Sequence, residues 1–135
     1  MLREALISDL LDRLPADQVI TDPAELFVYE SDGFTIAKAR PAAVVFPLSS
    51  QEVADVMRQL VKHDAQIVPR GSGTGLTGGC VAFENGVVVS TARMNKVLEI
   101  ELENRVAHVE AGVRNTALSD AVAILPLELE LGKRE

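Results

Sequence analysis

The residues most able to do chemistry lie in one run, Pro69-Arg70-Gly71-Ser72-Gly73-Thr74-Gly75-Leu76-Thr77-Gly78-Gly79, which holds five of the nine glycines in the 135-residue chain. Glycine reaches positive φ without strain and lets a ligand approach the backbone with no Cβ in the way. Successive N–H groups turned into one concavity then form a nest for an anion. Ser72, Thr74 and Thr77 add hydroxyl donors beside those amides. A mere surface turn needs no such density of glycine, because each one gives up backbone entropy on folding. The run therefore predicts a backbone cradle for a ligand diphosphate.

No other constellation competes with it. His63 and His108 are far apart in sequence, with no Cys, Asp or Glu at metal-ligand spacing, so surface or packing roles are expected for both. Glu99, Glu101, Glu103 and Glu110 are expected to line a solvated strand face. Cys80 is the single cysteine, which excludes an intrachain disulfide and a cysteine metal cluster. It is expected to be a small buried hydrophobe. No catalytic residue and no metal ligand is assigned.

The elements that must hold the run are legible from periodicity and caps. Leu2, Leu6, Leu10, Leu11 and Leu14 form an apolar helical stripe ended by Pro15. Asp22 and Pro23 start a short helix carrying Leu26, Phe27 and Tyr29, and Glu30–Gly33 is turn chemistry. Ala42–Phe46, between Pro41 and Pro47, suits a strand buried on both faces. Ser49 and Glu52 form a capping box for a helix with Val53, Val56, Met57, Leu60 and Val61 on one face, fading near His63. Gln66–Pro69 is a second strand, and that order implies a right-handed crossover and a parallel pair. Beyond the glycines, Glu84-Asn85-Gly86 reads as a turn and Gly86–Thr91 as a β-branched strand. Val97–Ile100 and Arg105–Glu110 read as an antiparallel hairpin hinged at Glu103 and Asn104. Gly112 marks a turn, and Asn115 and Thr116 open a last helix. The fold class expected is α/β (α+β), a small mixed sheet with flanking helices.

Two familiar phosphate motifs are excluded by context. Gly73-Thr74-Gly75-Leu76-Thr77-Gly78 matches the dinucleotide fingerprint G-x-G-x-x-G, but that motif must open a crossover helix. Here Gly78 and Gly79 continue the loop, and a strand begins again near Val87. A Walker loop fails too, since no Lys-Ser/Thr pair follows the glycines.

The run Val68–Gly79 resembles the pyrophosphate loop of FAD-linked oxidases of the vanillyl-alcohol-oxidase (PCMH) type. Arg40–Pro47 with Ser49, Glu52 and Val53 resembles that family's first strand and helix, and Arg93–Ile100 with Val109–Val113 its next segment. Tyr29-Glu30-Ser31-Asp32 is similar to the start of the domain in the subgroup of glycolate oxidase flavin subunits and D-lactate dehydrogenases. The resemblance implies that residues 1–123 are the first subdomain of a PCMH-type FAD-binding domain, with 124–135 a divergent tail. It implies FAD as cofactor, held by the amides of Arg70, Gly71, Ser72, Gly73 and Thr74, with Pro69, Gly75, Leu76, Thr77, Gly78 and Gly79 completing the loop. Pro47 and Pro69 match positions that shape the wall of the site, or serve as strand punctuation. A second glycine-rich segment and a substrate domain belong to that family and are not found in this sequence. The chain is thus expected to be the FAD-binding portion of a 2-hydroxy-acid oxidoreductase, inactive alone and weak or lacking in FAD affinity. The alternative is a non-catalytic module that self-associates, as a homodimer or with a partner subunit, through apolar surface such as Ala123–Leu127.

Composition agrees with a folded domain that binds through its backbone. Hydrophobic residues make up 47% of the chain and aromatics 4%, so aliphatic side chains carry the core. The net charge of −7 and pI near 4.8 disfavour nucleic acid and anionic membranes as partners. An anionic ligand is compatible with that charge only if neutral N–H groups make the contact. No basic leader and no apolar run of about 18 residues is present, so a cytoplasmic setting without a membrane span is expected.

Overall fold

The apolar run before Pro47 forms the middle of a four-stranded sheet. The computed structural model describes residues 2–83 and 86–123; the Glu84–Asn85 part of the expected turn, the tail at 124–135 and most of Ala123–Leu127 lie outside them. Strand β1 (Val19–Ile20) pairs antiparallel with β2 (Ala43–Val45). Strand β4 (Val87–Ser90) pairs parallel with β2 on one side and with β3 (Ile67–Arg70) on the other, giving the order β1-β2-β4-β3. The expected parallel pair is therefore interrupted: β2 and β3 are parallel within one sheet, but β4 lies between them. The reason is in the residues. Val87, Val88 and Val89 are apolar on both faces and belong in the sheet interior, whereas Pro69 has no N–H to give a second neighbour and suits the edge strand β3.

Alternation along these strands divides the core into two layers. Ala43, Val45, Val87 and Val89 face one side, where they meet Leu6, Leu10, Leu14, Val56 and Leu60. Val44, Phe46, Val68 and Val88 face the other, with Leu26 and Ala82. Each fully buried aliphatic side chain contributes about 1.5–3 kcal/mol, so this double layer is the main support of the loop that β3 enters.

Helix α1 (Leu2–Leu11) and helix α3 (Ser50–Lys62) cover the first face. They are tied by Asp9 Oδ2, which accepts from Lys62 Nζ at 2.6 Å and lies 2.7 Å from His63 Nε2. The short helix α2 (Pro23–Leu26) is capped by Asp22, whose Oδ1 accepts from the N–H groups of Ala24 and Glu25. At α3 the Ser49 hydroxyl accepts from Glu52 N–H as predicted, but the Glu52 carboxylate reaches back to the N–H of Leu48, one residue beyond the cap.

The hairpin of β5 (Val97–Glu101) and β6 (Val106–Val109) forms a second sheet, antiparallel as expected, with Arg105 at φ 55° in its turn. Gly112 anchors it to the first sheet: its N–H donates to the Met94 carbonyl, and a Cβ there would overlap the Thr91 carbonyl. Helix α4 (Asn115–Ala123) follows. Cys80 is half-buried rather than fully buried. No described helix is long and apolar enough to cross a membrane.

Candidate diphosphate-binding loop

The glycine run leaves the end of β3 and is gripped at both ends. Thr91 N–H donates to the Arg70 carbonyl, and Val81 N–H to that of Gly78. Between these points the backbone takes positive φ at Gly73 (70°) and Gly78 (75°), where glycine alone is unstrained. Residues 79–83 form no helix before β4, which confirms that the G-x-G-x-x-G pattern is not a crossover-helix fingerprint.

The floor beneath the loop is the segment Tyr29–Gly33. Gly33 N–H donates to the Gly73 carbonyl at 3.1 Å. A Cβ on Gly33 would sit 2.7 Å from the Gly75 carbonyl oxygen and 3.0 Å from that of Thr74. Three successive carbonyls thus face inward. In a planar trans peptide the N–H points opposite to the C=O, so the N–H groups of Thr74, Gly75 and Leu76 face outward. The loop residues Gly71, Ser72, Thr74, Gly75, Leu76 and Thr77 are all exposed. Consecutive outward amides on an exposed, Cβ-poor surface make an anion nest.

Arg70, the run's only formal charge, does not point into that nest. Its Nη1 donates to the Ser31 carbonyl at 2.9 Å, and its guanidinium lies 5.5 Å from the centre of the Tyr29 ring. A Cβ on Gly73 would overlap the guanidinium. The side chain is an internal strut that binds loop to floor. Pro47 is fully buried beneath the sheet end, and Pro69 is exposed on the edge strand.

Sequence reasoning missed this floor. Tyr29 read as part of a short helix and Glu30–Gly33 as a turn, and only the resemblance of Tyr29–Asp32 to a domain start hinted at a role beside residues forty positions later. The hairpin also gathers side chains that looked dispersed. A β-bulge between Val97 and Glu99 sets Glu99 opposite His108, bringing Glu99, Glu101 and His108 within 4.8 Å of one another. Their face is open to solvent. Hydrogen bonds from Asn104 and then His108 hold the Glu101 carboxyl below the usual carboxylate range.

Comparison with known proteins settles what kind of domain carries this loop. A family model described as an FAD binding domain matches residues 41–132, well over half of the chain. The chain belongs to the FAD-binding domain family. Its relatives include the glycolate oxidase subunit GlcD of Escherichia coli, 35% identical over 121 residues, covering 90% of this chain and 24% of the relative. The D-2-hydroxyglutarate dehydrogenase of Stutzerimonas stutzeri is 35% identical over 113 residues, covering 84% of this chain and 24% of the relative. Among solved structures, 4-ethylphenol oxidase from Gulosibacter chungangensis superposes with a TM-score of 0.82 at 27% identity. p-Cresol methylhydroxylase does so at 0.81 and 21% identity, showing the same fold, and each match covers 90% of this chain and 24% of the other. This FAD-binding domain therefore spans about a quarter of the length of the relatives it matches.

Proposed function

We infer that the chain supplies the diphosphate-binding part of the FAD site in a flavin-dependent 2-hydroxy-acid oxidoreductase. The observation that carries this is the loop itself: three outward amides over a floor that admits no Cβ at Gly33. Such a surface fits a diphosphate, because fixed N–H dipoles hold an anion without a cationic patch. Arg70–Gly79, with Pro47 and Pro69 behind them, would hold the cofactor. FAD, when bound, supplies the acceptor for the hydride of a 2-hydroxy acid. The work of these residues is binding and orientation, with the amides of Thr74, Gly75 and Leu76 fixing the diphosphate and Arg70 fixing the loop.

The substrate class is supported by relatives named for glycolate and D-2-hydroxyglutarate, both 2-hydroxy acids, a class that also includes D-lactate. A chain matching a quarter of those proteins carries no assigned catalytic residue, so no turnover is proposed for it alone. The setting proposed is cytoplasmic. A second reading, a non-catalytic module that pairs with itself or a partner subunit, is favoured by Leu98, Leu102, Val106 and Val109, all exposed on the hairpin, since apolar patches tend to become interfaces.

The test is addition of FAD to the purified chain, read by quenching of flavin fluorescence and by thermal melting. At FAD one hundredfold above Kd, linkage adds about 2.7 kcal/mol, a rise of roughly 5–15 °C in Tm for a domain of this size. A chain that neither quenches the flavin nor melts later has no FAD site.

A further inference from the structure

One atom in the loop's floor is buried without a hydrogen-bond partner. Asp32 is 6% exposed. Its Oδ1 accepts the N–H of Phe34 at 2.8 Å, while Oδ2 is buried without a partner. That oxygen lies under the loop, 3.7 Å from where a Cβ on Gly75 would be. No donor from the loop or its floor reaches that oxygen. Leaving a buried acceptor unpaired is unfavourable.

The charge of Asp32 does have a counterpart. Arg70 occupies the same floor, yet its guanidinium goes to Ser31 and Tyr29 rather than to Asp32. Arg70 and Asp32 therefore lie beneath a loop whose ligand contacts are neutral amides, while Glu30 on the same segment is paired with Lys38 and Arg40. Without Asp32 the charge of Arg70 would stand unopposed beneath the loop, and affinity would rise with every negative charge on the ligand. With it, the fields oppose each other and binding follows the amide geometry.

We propose that Asp32 is a specificity-determining residue, the anion that offsets Arg70 beneath the cradle so that the loop selects the bridging diphosphate of a dinucleotide over the more highly charged terminal phosphates of ADP and ATP. The inference rests on the diphosphate reading of the loop. A bridging diphosphate carries about one negative charge per phosphate, whereas a terminal phosphate carries nearly two at neutral pH. Removing one buried charge several ångströms away should change affinity about threefold to tenfold for each additional ligand charge, after solvent screening.

The experiment is equilibrium titration of the full chain with FAD, ADP and ATP, for wild type and Asp32→Asn. Comparing each ligand's own change on substitution cancels the contacts made by flavin or adenine. Asp32→Asn should tighten ATP most, ADP less and FAD least. An equal change for all three ligands, no change, or the reverse order overturns the inference. Arg70→Gln provides the mirror measurement should Asp32→Asn fail to fold: it should weaken ATP most and FAD least, and a uniform loss overturns the proposal. A wild-type chain that binds none of the three overturns the cradle itself and the inference with it. A wild-type chain that binds FAD while both variants keep its ligand ratios overturns the inference alone.

Discussion

Glycine does two different jobs here, and single substitutions separate them. At Gly33 the missing Cβ makes room for the Gly75 and Thr74 carbonyls, which are backbone atoms and cannot rotate away. At Gly71 a Cβ would meet nothing within 4 Å. Gly33→Ala should therefore push the loop off its floor and scatter the three outward amides. The expected loss of FAD or ADP affinity is tenfold or more, about 1.4 kcal/mol or above, with the core melting cooperatively as before. Gly71→Ala should leave the melt of the ligand-free chain within about 0.5 kcal/mol of wild type, because an open site absorbs the methyl. Calorimetric titration and thermal melting of the two variants side by side check this. Equal affinity for Gly33→Ala and wild type would mean that the floor does not shape the nest.

At the scale of elements, local signals were legible and long-range pairing was not. The stripe of Leu6, Leu10 and Leu14, the Asp22 and Ser49 caps and the hairpin all follow from periodicity and turn chemistry within a dozen residues. The insertion of β4 between β2 and β3 depends on which strand loses most by standing at an edge, a competition among segments that no single window contains. The loop itself was plain from its glycines. Its floor was not, because Tyr29–Gly33 acts through contacts some forty residues away. The tie between α1 and α3 is another such contact, and it has a pH signature. Hydrogen bonds from Lys62, then His63, hold the Asp9 carboxyl below the ordinary carboxylate range. A folded carboxyl with depressed pKa adds stability that is complete above its unfolded value and is lost as pH falls through its folded value. Asp9→Asn should therefore lower Tm at neutral pH. The gap from wild type should close as pH drops below about 4, the ordinary carboxylate value. Melts of both proteins between about pH 7 and 2.5 measure it; a gap independent of pH would show that the carboxylate charge is not what joins the helices.

For the whole molecule, charge and ligand have the same sign, and this fixes how binding must respond to salt. The chain carries −7, so an anionic cofactor approaches against a repulsive field. A site built from lysines and arginines would bind by releasing counterions and would lose affinity steeply as salt rises. Among the described residues, the glycine run's one formal charge does not face the nest of Thr74, Gly75 and Leu76, since the Arg70 guanidinium is held by Ser31 and Tyr29. Added salt therefore screens the long-range repulsion while leaving the short amide contacts almost untouched. FAD affinity should rise or stay level as ionic strength goes from about 10 mM to 150 mM, where the screening length falls from roughly 30 Å to 8 Å. Fluorescence titrations across that range decide the matter. A steep loss of affinity with salt would place a cationic surface at the ligand and would contradict the inward course of Arg70.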